Sequence, residues 1–249
     1  MLYCHVTGAN SGVGFAIAKE LAAESNGFHV ILAGRTPSKV ESAVAEIKAI
    51  GRGANGLTAL QLDVTDQSSI EKAASTVRAK FGHLDVLINN AGIAPSGPDL
   101  ATMFHTTFTT NLVGPVLVSA AFRSLLLASL APYSIYISSE TSSIGKITER
   151  GSNLHVTTAG SNAYRASKSA LNMIAMHEQL ELQDTALKVR IMSPGLVVSN
   201  LRGTSEQARS AGGYAGDPTK SARLVLSILG GERDEDASAL IVTDGVCPW

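Results

Sequence analysis

Two residues in the second half of the chain, Tyr164 and Lys168, have the types and the spacing needed for proton transfer. They lie four positions apart in a stretch of helical periodicity that runs to Gln183, so a helix places both side chains on one face. A tyrosine ordinarily loses its proton at about pH 10, and a neighbouring ammonium stabilises the phenolate and lowers that pKa. The pair therefore predicts a proton-transferring group that works near neutral pH.

A hydroxyl opposite the tyrosine could hold a substrate oxygen while charge develops on it. The run Ser134–Ser139 predicts a buried strand, and Ser139 at its end is the candidate for this role. Ser138 is the alternative, because adjacent strand residues point to opposite faces and only one of the two can serve. Taken singly, a Tyr–Lys pair on a helix and a serine at a strand end are ordinary features. Their joint occurrence in this order indicates a reaction centre.

A glycine-rich turn near the start of the chain has the pattern of a phosphate-binding loop. The run Tyr3–Thr7 predicts a strand and Phe15–Ala23 a helix, with three glycines between them in the arrangement G-x-x-x-G-x-G. Glycines let the backbone pass close to a pyrophosphate, and the start of the helix offers free N–H groups to the phosphates. The turn therefore predicts a dinucleotide site. Its expected contact residues are Gly8, Asn10, Ser11, Gly12, Val13 and Gly14.

The end of the second predicted strand, His29–Ala33, indicates which dinucleotide would bind. Proteins that bind NAD usually place a carboxylate there to accept hydrogen bonds from the ribose. This chain has Gly34, Arg35 and Thr36 instead, and an arginine can pair with a 2′-phosphate through charge-assisted hydrogen bonds. The alternative is that Arg35 is an ordinary solvated cation of a loop. The missing carboxylate is the stronger half of the evidence, and the two features together predict NADP(H) as the cofactor.

Two further strand ends belong to the same predicted site. Asp63 and Val64 follow the third strand and could cap the adenine through a carboxylate and a backbone amide. Asp63 could equally be a turn or helix N-cap residue, since Asp-x-Thr-Asp is typical of a helix start. The fourth strand ends in small and amide residues where the cofactor is expected, namely Asn89, Asn90, Ala91 and Gly92.

Seven short apolar runs, rich in β-branched residues, alternate with stretches of helical periodicity along the chain. The runs are Tyr3–Thr7, His29–Ala33, Leu57–Leu62, Leu84–Asn89, Ser134–Ser139, Ala186–Met192 and Ala239–Thr243. Strands that are apolar almost throughout are typical of a sheet covered by helices on both faces. We therefore predict an α/β protein with a single-domain Rossmann fold over residues 1–249, built on a doubly wound seven-stranded parallel sheet.

Ligands of such folds bind beyond the carboxyl ends of the strands. Two irregular segments rich in Gly, Ser and Thr, residues 142–161 and 200–217, follow strands and are candidate walls of a substrate pocket.

Composition and charge argue against several other classes of protein. The formal net charge of −1 gives no electrostatic reason to expect nucleic acid or an anionic membrane as a partner. No apolar stretch reaches the ~20 residues of a membrane span, and the first residues carry no signal-peptide pattern. The two cysteines, Cys4 and Cys247, show no metal-ligand spacing. We therefore expect no metal site and a reducing compartment, by default the cytoplasm.

Together these motifs resemble the short-chain dehydrogenases/reductases, nearly from end to end. The matching segments are TGANSGVG at 7–14, DV at 63–64, NNAG at 89–92, ISS at 137–139, YRASK at 164–168 and PGLVVS at 194–199. The sequence around the tyrosine and the terminal DGVCPW are similar to C-factor or sniffer-like carbonyl reductases.

The resemblance implies a role for each matching residue. Ser139 would polarise a carbonyl, and Tyr164 would donate the proton. Lys168 would hold the nicotinamide ribose while lowering the pKa of the tyrosine, and Asn111 would support a water-linked proton path. The residues expected to flank the nicotinamide are Asn90, Pro194, Gly195, Val197 and Ser199.

The resemblance implies NADPH-dependent reduction of a ketone or aldehyde to an alcohol, with a small-molecule carbonyl compound as partner and a homodimer as the favoured assembly. The alternative is a non-catalytic NADP(H)-binding sensor or regulatory protein on the same fold. The complete Ser, Tyr, Lys and Asn set argues against it, since a binding module has no use for an activated tyrosine. A non-redox elimination is disfavoured, because family members of that kind tend to lose the dinucleotide turn or the lysine.

The chain departs from the family pattern in two places. Ser11 stands where many NADP-dependent members carry Arg or Lys, which leaves Arg35 with less support. Tyr164 follows Ser139 by 25 positions, about twice the usual spacing, an insertion that looks like the monomeric carbonyl reductases. We expect the extra segment to overhang the pocket and to disturb the oligomer interface typical of the family.

Overall fold

The computed structural model describes residues 1–24, 27–51, 56–97, 99–149 and 161–249. These residues form eight strands: β1 (Leu2–Thr7), β2 (Phe28–Gly34), β3 (Leu57–Gln61), β4 (Val86–Asn89), β5 (Tyr133–Ile137), β6 (Lys188–Met192), β7 (Leu240–Val242) and β8 (Gly245–Cys247). All eight belong to one sheet in the order β3-β2-β1-β4-β5-β6-β7-β8.

The predicted fold class is confirmed, with one correction at the edge of the sheet. Strands β1 to β7 pair in parallel, as their apolar runs predicted. The eighth strand was missed, and it pairs antiparallel with β7, with Val242 opposite Gly245. A three-residue run directly after a two-residue turn shows no periodicity that would reveal a strand. The prediction of seven strands, all parallel, is wrong in this respect.

Helices cover both faces of the sheet. They are α1 (Gly12–Ala23), α2 (Pro37–Ala49), α3 (Gln67–Phe81), α4 (Leu100–Phe108), α5 (Gly114–Leu126), α6 (Ile144–Thr148), α7 (Ser161–Glu181), α8 (Glu206–Arg209) and α9 (Thr219–Leu229). One apolar core includes side chains of α1, α2 and α9, and a second includes side chains of α3, α5 and α7. Among the described residues, no helix combines the length and apolar character needed to cross a bilayer.

The strand order reverses between β1 and β4, which lie side by side although two strands separate them in the chain. Connections from these two strands leave in opposite directions and open a crevice at their carboxyl ends. Thr7 ends β1 and Asn89 ends β4, so the glycine turn and the Asn89–Gly92 segment meet at this crevice.

A buried histidine in β1 makes the stability of the fold depend on pH. Both ring nitrogens of His5 are buried and lack a hydrogen-bond partner in the described part of the chain, and the ring packs 4.8 Å from that of Phe122. Desolvation lowers the pKa of His5 to about 3, from a usual value near 6.5. Below that usual value the unfolded chain binds a proton that the native protein cannot accept, so stability falls with falling pH.

We expect His5 to reduce the free energy of unfolding at pH 5 by about 2 kcal/mol relative to pH 8, at about 1.4 kcal/mol per pH unit below the usual pKa. Urea denaturation of the wild type and of His5→Leu at both pH values measures this term. The variant should lose that much less stability on acidification. An identical loss in the two proteins would show that other groups carry the acid sensitivity.

Candidate active site

The carboxyl ends of the parallel strands surround a cavity of about 720 Å³. Fifteen of the predicted site residues line it: Gly8, Asn10, Ser11, Gly12, Val13, Arg35, Asp63, Val64, Asn90, Ala91, Gly92, Tyr164, Lys168, Pro194 and Ser199. They come from the segments after five different strands, including the start of α1, and from α7, so the fold brings together residues far apart in the chain. The volume is in the range of about 300–1,000 Å³ found for small-molecule sites.

Five predicted site residues lie off the cavity wall. Gly195 is exposed and Val197 is buried, its backbone bridged to Gly216. Gly14 is packed beneath the turn, Asn111 is fully buried and accepts a hydrogen bond from the Ile93 N–H of the wall, and Ser139 is half-buried beside Tyr164. Direct contact of Gly14, Gly195 and Val197 with a cofactor stays a prediction.

The fold brings Ser139 and Tyr164 together. The Ser139 hydroxyl lies close enough to the Tyr164 phenol to act on its pKa, and Ser139 Oγ lies 2.9 Å from Thr141 Oγ1. Ser138, the alternative, also lines the cavity, but its hydroxyl is buried and donates to Asn172 Oδ1. The opposite orientation of neighbouring residues at the strand end thus assigns the contact with the tyrosine to Ser139.

Desolvation raises the pKa of Tyr164, while the Ser139 hydrogen bond and the charge of Arg202 act in the opposite direction. The spacing of Tyr164 and Lys168 predicted a pKa lowered by the ammonium, and this direction is not found. Lys168 Nζ lies 5.9 Å from the centroid of the Tyr164 ring and donates instead to the Ile137 carbonyl at 2.7 Å. The protein's own groups therefore keep Tyr164 in the protonated form.

Lys168 is buried, and desolvation lowers its pKa to about 8. A lysine with such a pKa is mostly protonated at pH 7 and mostly neutral one or two pH units higher. The ammonium therefore lies beside the tyrosine at neutral pH.

Asn111 links the segment after β4 to α7 through hydrogen bonds of its side chain. It belongs to a π-helical segment, Thr109–Val113, between α4 and α5. Its carboxamide accepts from the Ile93 N–H at 2.9 Å, donates to the Ile93 carbonyl at 2.9 Å, and donates to Ser167 Oγ at 3.1 Å. A Cβ on Gly92 would lie 3.4 Å from Asn111 Oδ1 and 3.6 Å from Lys168 Nζ, so both polar groups flank this glycine. A proton-relay role for Asn111 stays a prediction.

The glycine turn between β1 and α1 is shaped by a close approach of Asn90. A Cβ on Gly14 would lie 2.4 Å from Asn90 Nδ2, so no larger residue fits there. The Asn90 amide donates to the carbonyls of Thr7 at 2.8 Å and Gly8 at 3.3 Å, and Gly8 has a φ of +65°. Asn90 therefore holds the turn in place, in addition to lining the cavity.

The start of α1 offers free hydrogen-bond donors to the cavity. Ser11 is the N-cap residue with extended backbone, and its side chain makes no cap hydrogen bond. The first N–H groups of a helix have no partner within the helix and carry a partial positive charge. The turn is therefore suited to an anionic group such as a phosphate.

The end of β2 leaves no room for a carboxylate at position 34. A Cβ on Gly34 would lie 2.9 Å from Val40 Cγ2 and 3.0 Å from Asn10 Oδ1. Arg35 follows on the cavity wall and is exposed. At this end of the cavity the chain thus offers the Arg35 cation, next to a glycine without a side chain.

Asp63 is a turn residue and not the N-cap of α3. Its carboxylate accepts from the Thr65 N–H at 3.0 Å and from the Thr65 hydroxyl at 2.7 Å. The N-cap of α3 is Asp66, which accepts from the Ser68 N–H at 2.9 Å. Asp63 and Val64 also line the cavity, so contact with an adenine stays a prediction for both.

The two irregular segments differ in their relation to the cavity. Asn200, Leu201, Arg202 and Gly203 line it, as predicted for the segment 200–217. The longer segment 142–161 was expected to overhang the pocket, but none of its described residues lines the cavity. Gly145 of α6 packs instead against Pro248 and Trp249. Residues 150–160, including His155, lie outside the described residues.

Arg202 is a charged residue of the cavity wall that was not singled out from the sequence. It lies in a 3-10 turn, Asn200–Arg202, and its charge acts on Tyr164 across the cavity. Its segment was predicted as a pocket wall, but no motif distinguishes Arg202 from the other surface cations of the chain.

Comparison with known proteins decides the family. A model described as short chain dehydrogenase matches residues 3–210. The chain belongs to the short-chain dehydrogenase family. As a short-chain dehydrogenase it is an oxidoreductase that uses a nicotinamide cofactor and a small-molecule substrate.

Relatives of this short-chain dehydrogenase match it over nearly its whole length. Short-chain dehydrogenase/reductase tropE of Talaromyces stipitatus is 32% identical, with coverage of 96% of this chain and 94% of that protein. The 1-deoxy-11-beta-hydroxypentalenate dehydrogenase of Streptomyces avermitilis is 30% identical, with coverage of 92% and 81%. The crystal structure of an NADPH-bound carbonyl reductase from chicken fatty liver is similar with a TM-score of 0.83 at 28% identity, covering 100% of this chain and 98% of that one.

Proposed function

We propose that this short-chain dehydrogenase reduces a ketone or aldehyde to an alcohol with NADPH, and that Tyr164 supplies the proton. The proximity of the Ser139 hydroxyl to the Tyr164 phenol, beside the buried Lys168 whose Nζ lies 5.9 Å from the tyrosine ring, carries the proposal. Together the two hydroxyls form a site for one carbonyl oxygen, with an ammonium near enough to stabilise the phenolate that proton donation leaves.

The cavity fits a nicotinamide dinucleotide. The turn after β1 has glycine where a side chain would collide with Ala91, Ser199 or Asn90, and the uncapped start of α1 lines the cavity. Asn10, Ser11, Gly12 and Val13 would hold the pyrophosphate, and Lys168 the nicotinamide ribose. When bound, NADPH supplies the hydride.

The protonated state of Tyr164 supports the direction of the reaction. Desolvation raises the pKa of the phenol, so it enters the reaction as an acid. As negative charge develops on the carbonyl oxygen, Ser139 donates a hydrogen bond to it and Tyr164 transfers its proton. Oxidation of an alcohol would need the phenolate at the start, which desolvation disfavours.

Preference for NADPH over NADH is supported by the end of β2. Gly34 cannot be replaced by a carboxylate without displacing Val40 or Asn10, and Arg35 beside it lines the cavity as a cation suited to a 2′-phosphate. The similar carbonyl reductase from chicken fatty liver binds NADPH. Arg35 and Thr36 are both exposed, so their donors are available to a phosphate.

A spectrophotometric assay with purified protein, NADPH and a panel of aldehydes and ketones tests the proposal. We expect NADPH oxidation that depends on the carbonyl compound and exceeds the rate with NADH. NADPH binding in the micromolar range without turnover of any compound would instead favour a sensor on the same fold, and would overturn the proposal.

Asn172 is a positioning residue for Ser139. Its carboxamide accepts from the Ser138 hydroxyl and donates to Ser142 Oγ at 2.9 Å, and Ser142 Oγ donates to the Ser139 carbonyl at 2.6 Å. These bonds tie the turn after β5 to α7. Asn172→Leu keeps the volume but leaves the buried Ser138 hydroxyl without its acceptor, at a cost of about 1–3 kcal/mol, and removes the donor to Ser142 Oγ.

We expect Asn172→Leu to lower kcat about tenfold, because the Ser139 turn shifts relative to Tyr164. The Kd of NADPH, measured by fluorescence titration, should stay within about twofold, since the dinucleotide turn is untouched. Met173→Ala on the exposed side of the same helix is the control and should leave kcat unchanged. An unchanged kcat in Asn172→Leu, or equal losses in kcat and NADPH affinity, would contradict a positioning role.

A further inference from the structure

Arg202 lies on the cavity wall, on the segment that follows β6. Its guanidinium is held by neutral acceptors only: Nε donates to the Ala208 carbonyl at 3.1 Å, and Nη2 donates to the carbonyls of Val197 and Arg209, both at 2.8 Å. These three carbonyls fix the plane of the guanidinium. The N–H groups of Nη1 donate to no described residue.

The charge of Arg202 is not neutralised within the described part of the chain. It forms no ion pair there, whereas Arg123, Arg190 and Arg233 all do. The acidic residue of the cavity wall is Asp63, which follows β3 at the far edge of the sheet. A half-buried cation is stabilised by an anion in contact with it, so the geometry favours pairing with an anionic group that enters the cavity.

Two anionic groups could reach Arg202: a phosphate of the cofactor or a group on the substrate. The phosphate-binding turn adjoins the start of this segment, since a Cβ on Gly12 would lie 3.2 Å from Ser199 Cβ. Arg202 lies three residues further on, and its charge acts on the hydroxyl of Tyr164, where the substrate is reduced. Its position therefore favours the substrate.

We propose that Arg202 binds a carboxylate of the substrate. The enzyme then prefers oxo acids, that is, aldehydes or ketones that also carry a carboxylate, over neutral carbonyl compounds. The proposal rests on the proposed function, because it names the substrate class of the same site. Nη1 supplies the donors for a charge-assisted hydrogen bond, and the three carbonyl contacts hold them in place without lowering the charge.

A matched pair of probes separates charge recognition from every other effect of Arg202. We expect the wild type to reduce 4-carboxybenzaldehyde with a kcat/KM at least about tenfold above that for its methyl ester, methyl 4-formylbenzoate. Arg202→Gln should abolish this ratio, and Arg202→Lys should restore part of it. Removal of the charge also affects the Tyr164 phenol, but that effect is the same for acid and ester and cancels in the ratio.

Binding measurements make the test independent of turnover. Calorimetric titration of 4-(hydroxymethyl)benzoate into the NADP⁺-loaded protein should show at least about tenfold weaker binding in Arg202→Gln than in the wild type. The Kd of NADP⁺ should stay within about twofold. Arg223→Gln, at an exposed arginine of α9 that does not line the cavity, is the control and should behave as wild type. Thermal melting of each variant shows that it is folded.

Two outcomes would overturn the proposal: an unchanged acid-to-ester ratio in Arg202→Gln, which includes an equal loss with both probes, or a loss of NADP⁺ affinity, which would assign Arg202 to the cofactor. If the wild type reduces neither probe nor any compound of the carbonyl panel, the proposed function fails. The titration with 4-(hydroxymethyl)benzoate then still decides the role of Arg202, with weaker binding in the variant supporting it and equal binding overturning it.

Discussion

Replacing Tyr164 with phenylalanine should lower kcat by about a thousandfold, while the Kd of NADPH stays within about twofold. The change removes a single oxygen, which is both the proposed proton donor and the partner of Ser139. General acid catalysis contributes about 10²–10⁴-fold, and loss of a hydrogen bond to the developing oxyanion adds to this. The aromatic ring keeps its place in α7, so the cavity keeps its shape. Single-turnover measurement of NADPH oxidation and fluorescence titration of NADPH give the two quantities.

Tyr214→Phe is the matched control, because Tyr214 is 85% exposed and does not line the cavity. It should retain full activity. If Tyr164→Phe keeps more than about a tenth of the wild-type kcat, another group supplies the proton and the proposed mechanism is wrong. If it loses NADPH affinity in parallel with kcat, the tyrosine serves cofactor binding and the assignment of the proton donor is again wrong.

The parts of the site that depend on short-range spacing could be predicted from the sequence. Tyr164 and Lys168 lie on one face of α7 because a helix has 3.6 residues per turn, and this holds for any packing of that helix. The glycine turn after β1 could also be recognised from its spacing, although the close approach of Asn90 that requires glycine at Gly14 is a long-range contact. The strand end left two candidates, Ser138 and Ser139, for the hydroxyl near the tyrosine. Only the packing of α7 against the sheet shows which of them lies near Tyr164.

Properties that depend on tertiary packing could not be predicted. The pKa of Tyr164 depends on how much water reaches the phenol and on where Lys168 Nζ points, and the Ile137 carbonyl that takes this ammonium precedes Lys168 by 31 positions. Arg202 becomes part of the cavity because carbonyls on both sides of it in its segment hold its guanidinium. Neither arrangement has a signature in residue type or period. The sequence thus predicts which residues contact each other better than it predicts their pKa values and charge interactions.

The second large effect concerns the choice of cofactor, and it depends on Arg35. Arg35→Ala should raise the Kd of NADPH about tenfold to a hundredfold and leave the Kd of NADH within about twofold, since the variant removes donors that only a 2′-phosphate would accept. Because Arg35 is exposed, its attraction is screened by salt, so the wild-type Kd of NADPH should rise with ionic strength more steeply than that of the variant. Fluorescence titration at two salt concentrations measures both effects without turnover.

Lys39→Ala is the matched control for Arg35, because Lys39 is an exposed cation of α2 that does not line the cavity. A small change there and a large one at Arg35 would locate the effect at the end of β2, where Gly34 leaves no space for a carboxylate. Equal weakening of NADPH and NADH in Arg35→Ala would show that the arginine contacts a part common to both cofactors. In that case the absence of a carboxylate at position 34 alone would have to account for any preference, and wild-type discrimination between NADPH and NADH would survive the substitution.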